Sequence, residues 1–321
     1  MSSRWLGLGF VAFLAACAAS KTATFSKGTS SSAGGAEAGS GGNGGSAMSS
    51  TGTDLTVGSG DVGGFSPSST NSTGSGSADC SEAAKLVYVV GKNNELYSFS
   101  PASLQFTPIG IIDCTGQGAF GQPFSMAVDR NGTAWVLFDD SQIFAVSVTD
   151  ASCKKTAYIP SLNFDFSLFG MGFASDDAMG SSETLYVASY SGYGLAKIAL
   201  PSMTLTPIGP YKNGGGSAEL TGTGDGRLFG FFTTSPVSVA ELDKKTSTIL
   251  SSAPQPSVNI GGGWAFAFWG GDFWLFTAPN GVTSQVDRYS PSKQTTTTVA
   301  QVNFKIVGAG VSTCAPVEQP K

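Results

Sequence analysis

Apolar and polar positions along this chain follow three regimes. From Trp5 to Ala16 the residues (WLGLGFVAFLAA) are uncharged and mostly apolar. From Ala18 to Asp79 large apolar residues almost disappear among Ser, Gly, Thr and Asn. From Cys80 onward, short β-branched and aromatic runs are cut at close intervals by Gly, Asn and Asp, and no long stretch keeps a 3.6-residue period. Runs of that length between turn residues predict strands, so the third regime reads as an all-β domain.

Two markers recur within it. Leu96 onward reads LYSFSPASLQFTPIG and Leu195 onward reads LAKIALPSMTLTPIG, with the Thr-Pro-Ile-Gly endings 99 residues apart at Thr107 and Thr206. A strand with a small central residue returns at Met126-Ala127-Val128, Met171-Gly172-Phe173, Thr221-Gly222-Thr223, Phe266-Ala267-Phe268 and Val307-Gly308-Ala309. The central residues lie 45, 50, 45 and 41 apart, and in three units a turn and an aromatic strand follow (DRNGTAWVLF, GDGRLFGFF, GGDFWLFT). Periods of 40–50 residues mark repeat architectures. Gly or Ala in mid-strand marks close backbone approach, as on the innermost strands of a β-propeller.

Five inner strands predict five blades. The fifth, around Gly308, has no partner after it, whereas the first ordered segment (LVYVVGKNNELYSFSPASLQFTPIG) has outer strands but no inner one. Together they complete one blade, so the two ends of the chain close the ring. Six blades is the alternative, if the long Asp165–Tyr211 unit hides an extra hairpin. Four cysteines lie in the domain, an even count that implies two disulfides with three pairings open. Cys314 ends the last inner strand and Cys80 precedes its expected neighbour, so a Cys80–Cys314 bridge would lock the closure, contributing about 4–5 kcal/mol by chain entropy. Cys114 and Cys153 are left to each other by elimination, although strand counting sets them nearer opposite rims of adjacent blades.

The first regime is too short to cross a bilayer: twelve residues of helix rise about 18 Å against a core of roughly 30 Å. With Arg4 before it, the run reads as a secretory signal peptide over residues 1–16. Leu14-Ala15-Ala16-Cys17 resembles the bacterial lipobox, which implies lipidation of Cys17 and a membrane anchor. Ala18, rather than Asp, after that cysteine fits the outer membrane, and the cell surface is the expected address, with the periplasmic side as the alternative. Residues 17–79 read as the anchored, disordered linker, with a coil span of roughly 45 Å for the 62 residues after Cys17. The domain then occupies 80–316, and 317–321 form a tail.

Charge and composition narrow the chemistry. The net charge is −5 and no basic stripe exists, which argues against nucleic acid. The chain has no histidine, which removes Ser-His-Asp and Cys-His catalysis and His-ligated metals. No C-x-x-C spacing occurs, and the Gly-rich stretches at 214–216 and 261–263 precede strands and lack a Lys-Ser/Thr, so neither a cofactor nor a metal is expected. Carboxylate chemistry survives. Glu219 begins an inner strand near the channel mouth and is the one well-placed candidate, Asp165 lying in a loop. Asp129, Asp225 and Asp272 follow inner strands, where Asp serves the turn backbone, and Asp139-Asp140 and Asp176-Asp177 read as exposed loop acids rather than calcium ligands. Phe124, Phe169 and Trp264 start other inner strands and are expected to ring the channel entrance, where aromatic faces would stack on sugars.

The segments AVDRNGTAWVL, ELTGTGDGRLFGFF, VAELDKKT, WAFAFWGGDFWLFTAP and IVGAGVSTCAP are similar to an uncharacterised family of myxobacterial lipoproteins, over about residues 84–316. The resemblance implies an outer-membrane or surface address and brings no activity with it. The expectation is therefore a non-catalytic binding or scaffold module for an envelope polysaccharide or a surface protein. A carboxylate glycosidase using Glu219 is the alternative.

Overall fold

The structure, a computed structural model, describes residues 80–160, 164–178 and 180–320. The predicted signal peptide, Cys17 and the linker lie outside the described residues. The domain opens with β1 (Val87–Gly91), β2 (Glu95–Ser100) and β3 (Gln105–Ile111). Four sheets of four follow. They are β4 (Pro123–Val128) to β7 (Cys153–Lys155), β8 (Phe169–Ser175) to β11 (Thr204–Pro210), β12 (Ala218–Gly222) to β15 (Thr248–Pro254), and β16 (Trp264–Trp269) to β19 (Thr295–Gln301). The last strand, β20 (Ile306–Val311), returns to pair antiparallel with β1, Val89 opposite Ala309, making a sheet ordered β20-β1-β2-β3.

The result is a five-bladed propeller closed by the two ends of the chain. Its inner strands β20, β4, β8, β12 and β16 are the five that small central residues marked. The unit from Asp165 to Tyr211 contributes β8 to β11 and one turn, so the six-blade alternative is set aside.

Glycine on the inner strands answers to contact between backbones. A Cβ on Gly172 would stand 2.8 Å from the Leu220 carbonyl of the next blade, and one on Gly308 would stand 3.0 Å from the Met126 nitrogen. Five apolar clusters then fill the spaces between neighbouring blades. The period of two in β1 divides its side chains between them. Val87 and Val89 pack toward Trp274 and Phe276 of blade five, while Tyr88 and Val90 pack toward Val136 and Phe144 of blade two. A strand buried on both faces therefore shows no polar alternation.

The Thr-Pro-Ile-Gly repeat is a bulge. Tyr97 pairs with Pro108 and Leu96 with Gly110, leaving Ile109 unpaired, and Ile208 is left over in the same way in blade three. The extra residue bends the outermost strand and raises its twist. The turn before each outermost strand holds a non-glycine residue in the left-handed region: Leu104, Ala151, Met203, Ser247 and Gln294.

Both disulfides form, Cys80 with Cys314 and Cys114 with Cys153. The rim conflict at Cys114–Cys153 is resolved by blade twist. The end of β3 swings across to the neighbouring blade, setting Gly110 against Ala151 in the turn just before Cys153. Counting residues along flat strands misses that rotation.

Gly172→Ala is expected to destabilise the domain by about 1–3 kcal/mol, because the neighbouring backbone must retreat. Gly116→Ala, with open space around its Cα, should stay within about 0.5 kcal/mol. Urea denaturation of the two variants separates these outcomes.

Candidate functional site

Each blade leaves the axis-facing edge of its inner strand without a ladder partner, and those edges converge on the axis. Hydroxyls from adjacent segments take their place. The Met171 N–H donates to Ser125 Oγ at 3.1 Å, Phe268 N–H to Thr221 Oγ1 at 3.0 Å and Ile306 N–H to Ser284 Oγ at 3.0 Å. Ser125 in turn donates to Glu219 Oε2 at 2.8 Å, so the carboxyl of blade four reaches across to blade two.

Glu219 is thus not at the mouth of the channel but inside it, almost wholly buried. Burial pushes its carboxyl well above the ordinary 4.5, opposed by hydrogen bonds from Ser125 and the Met171 N–H. The candidate Asp165 accepts the Ser189 hydroxyl through its backbone carbonyl. The carboxyl of β12 accepts from Ser125 of β4 and from the Met171 N–H of β8, and so joins three inner strands.

The face that carries the starts of the inner strands also carries the turns between second and third strands. Phe124 and Trp264 lie there half-buried. Phe169 does not: it is fully buried between blades two and three, edge-on to Tyr158 at 6.2 Å, where no ligand reaches it. Its strand directs that side chain sideways into the inter-blade core. Tyr190, on the turn after β9 (Glu183–Ser189), takes the open position. Its ring meets Phe124 edge-on at 5.3 Å and lies 9° from parallel to Trp264 at 6.2 Å. Blades two, three and five thereby meet in one aromatic cluster over the channel. A search for inner-strand starts misses Tyr190, because it reaches the cluster from a turn.

This loop face also gathers exposed apolar side chains: Phe120 (93% exposed), Ile159 (83%), Val282 (70%) and Ile111 (62%). The loop under Phe120 is held firmly. Asp140 Oδ2 accepts from the Phe120 N–H and Asp139 Oδ1 from the Gln122 N–H, both at 2.9 Å, and Cys114 anchors its start. Asp139 and Asp140 therefore serve backbone.

The opposite, turn face holds the closure. Cys80, Cys314 and the ends of β4 and β20 meet around Arg130. Its Nη1 donates to Gly180 O at 2.9 Å and Thr313 Oγ1 at 3.3 Å, and its Nη2 lies 3.5 Å from Cys80 Sγ. Glu183 accepts from the Arg130 N–H at 2.7 Å and the Thr313 hydroxyl at 2.7 Å. Burial lifts the Glu183 carboxyl to about 6, with the two hydrogen bonds opposing and the nearby Asp129 adding to the rise. A cleft of about 250 Å³ opens here, lined by Asp129, Arg130, Asn131, Phe173, Glu183 and Leu200 among others. Asp129 is committed to the Asn131 and Thr133 N–H groups and the Trp135 indole N–H. Asp225 takes the Thr223 hydroxyl and Asp272 the Arg288 guanidinium. Asp176 accepts from Thr184 at 2.6 Å, and among the described residues no group of three acids or cysteines could hold a metal ion.

Both raised carboxyls give stability an acid-side maximum. A folded pKa above the unfolded one means that the native state binds more protons, so the contribution is whole below about 4.5 and is lost as pH rises. For Glu183 the loss runs through about 6 and amounts to about 2 kcal/mol. Glu183→Gln should flatten that part of a plot of unfolding free energy against pH. Glu219→Gln, which keeps the size and a hydrogen-bonding amide, should raise the melting temperature at neutral and alkaline pH and leave it nearly unchanged at pH 4. A fall at neutral pH would show that the carboxylate is the stable form.

No protein-family model matches the chain, and no curated protein matches it. Among solved structures the chain is similar to the crystal structure of a nidogen/laminin complex, at 6% identity over 70% of this chain and 97% of that one, with a TM-score of 0.47. It is also similar to a structural-genomics protein of unknown function from Bacteroides thetaiotaomicron, at 14% identity over 66% of this chain and 57% of that one, with a TM-score of 0.43. Neither likeness adds to what the sheet topology already states.

Proposed function

We propose that the chain is an exported protein, lipid-anchored through Cys17 at the outer membrane, whose propeller is a non-catalytic binding or scaffold module working through its loop face. The observation that carries this reading is the collection of half-buried and exposed aromatic and aliphatic side chains on that face, opposite the side where the chain joins the domain at Cys80. Exposed apolar surface is costly to keep in water, and its concentration on one face marks an interaction site. The two disulfides suit an oxidising compartment outside the cytosol.

Two partner classes suit this face. A polysaccharide of the envelope would stack its sugar rings on Tyr190 and Trp264. A protein would bury the aliphatic anchors as well. Against the glycosidase alternative, Glu219 is enclosed and held by Ser125 and Met171, whereas a displacement or a water activation needs a pair of carboxylates open to the substrate.

The test is to present the purified full chain with glycans and envelope polysaccharides, following both binding and released reducing ends. No release is expected. If a polysaccharide binds, Trp264→Ala should weaken it about tenfold or more, the usual loss for a central aromatic contact, while Glu219→Gln should not. Release of reducing ends that Glu219→Gln abolishes would overturn the non-catalytic reading.

A further inference from the structure

Around the axis β20 stands between β16 and β4, the inner strands of the blades on either side. Lys305, the residue before β20, is therefore set between Trp264 and Phe124, which lie at the starts of those two strands. These are the half-buried rings that Tyr190 joins over the channel. A cation thus stands at the mouth of the channel beside the aromatic cluster.

The chain holds that lysine in place. Its carbonyl accepts from the Lys92 N–H at 2.8 Å, tying it to the turn after β1. Its side chain runs over Gly263 and Gly262, the two residues ahead of Trp264. A Cβ on Gly263 would stand 2.9 Å from Lys305 Cε, and one on Gly262 would stand 3.3 Å from Nζ. Neither glycine lies in the left-handed region, so backbone conformation does not require them. The lysine stem occupies space that a side chain at either position would fill, and it brings the ammonium to the segment that leads into Trp264.

Among the described residues that ammonium has no acid partner. Ion pairs join Lys85 to Glu82, Lys92 to Asp139, Arg227 to Glu241 and Arg288 to Asp272, and Lys305 enters none of them. Acids of the same face are already engaged: Asp139 by Lys92 and the Gln122 N–H, Asp140 by the Phe120 N–H and Glu95 by the Asn93 N–H. A half-buried ammonium has given up part of its water, and an anion brought from outside offsets that loss. On the turn face, by contrast, Arg227 and Arg288 hold acids and Lys244 donates to the Ser175 and Asp176 carbonyls.

The two halves of this site suit different groups of one ligand. Tyr190 and Trp264 lie 9° from parallel, so their faces share one orientation and suit the flat side of a ring. An ammonium on a flexible stem suits a carboxylate, which it meets through a charge-assisted hydrogen bond. We infer that the channel mouth binds an acidic polysaccharide, whose sugar rings stack on Tyr190 and Trp264 while a ring carboxylate meets Lys305. The inference rests on the loop face being a binding surface and names the class of its ligand.

The experiment is calorimetric titration of the full chain, made with Cys17→Ser so that no acyl chain contributes, with polygalacturonate and with its methyl ester. Both polymers present the same rings, and only the first is charged. Polygalacturonate is expected to bind at least about tenfold more tightly, the effect of one hydrogen bond to a charged group. Its affinity should fall with added salt. Lys305→Met should remove the preference and Lys305→Arg should keep it, each with an unaltered thermal transition. Trp264→Ala should weaken both polymers. Lys245→Met, exposed on the turn face, should change nothing. Equal binding of the acid and its ester, or a preference that survives Lys305→Met, overturns the inference. So does equally tight binding of poly-glutamate, which has the carboxylates without the rings and would mark the mouth as a peptide site. If the ester binds as well as the acid and Trp264→Ala weakens it, the binding-module reading stands and only the acidic class falls. Binding of neither polymer overturns the inference, and the glycan screen then decides whether the binding-module reading stands.

Discussion

Five inner strands must meet around one axis while each keeps an edge without a ladder partner. Everything else in the domain follows from how that is met. Unpaired strand edges are ordinarily a liability, open to water or to a stray strand. Here Gly172 and Gly308 let neighbouring backbones close to contact, and the hydroxyls of Ser125, Thr221 and Ser284 take the orphaned N–H groups. Glu219 belongs to that system. Its carboxyl accepts from Ser125 and the Met171 N–H within the packed ring, and burial pushes its pKa up against those two bonds.

A ring of blades also has to be closed, and the chain does so twice. The β20–β1 pairing supplies the backbone bonds, and Cys80–Cys314 ties the same junction covalently across a sequence separation of 234. Arg130, Thr313 and Glu183 gather at that junction and link it to blades two and three. The cleft there is thus built from groups already engaged with one another, and its acid titrates as part of the closure.

Closure divides the labour of the two faces. One face takes Cys80, Cys314 and the junction. The other is left to the connections between blades, which are free to vary because no blade depends on them for its ladder. Phe120 and Ile159 on two of those connections, and Val282 on a turn of that same face, stand exposed outside the five inter-blade clusters.

The five small-centred strands, their spacing and the orphaned last strand determined the blade count and the way the ring closes, because close backbone approach demands Gly or Ala at a fixed place in every repeat. The Cys80–Cys314 bridge followed from that closure. Local sequence also placed Phe124 and Trp264 at the starts of inner strands. Only the tertiary structure decided where side chains point once strands are tilted and twisted. It turned Phe169 into the core, brought Tyr190 from a turn into contact with rings of two other blades, and drew Glu219 beneath the rim. It also carried the end of β3 across to the Cys153 corner, so that two cysteines counted to different rims could join. Strand twist accumulates across a sheet and is set by neighbours distant in sequence. The period along one strand, which is all that a sequence displays, does not contain it.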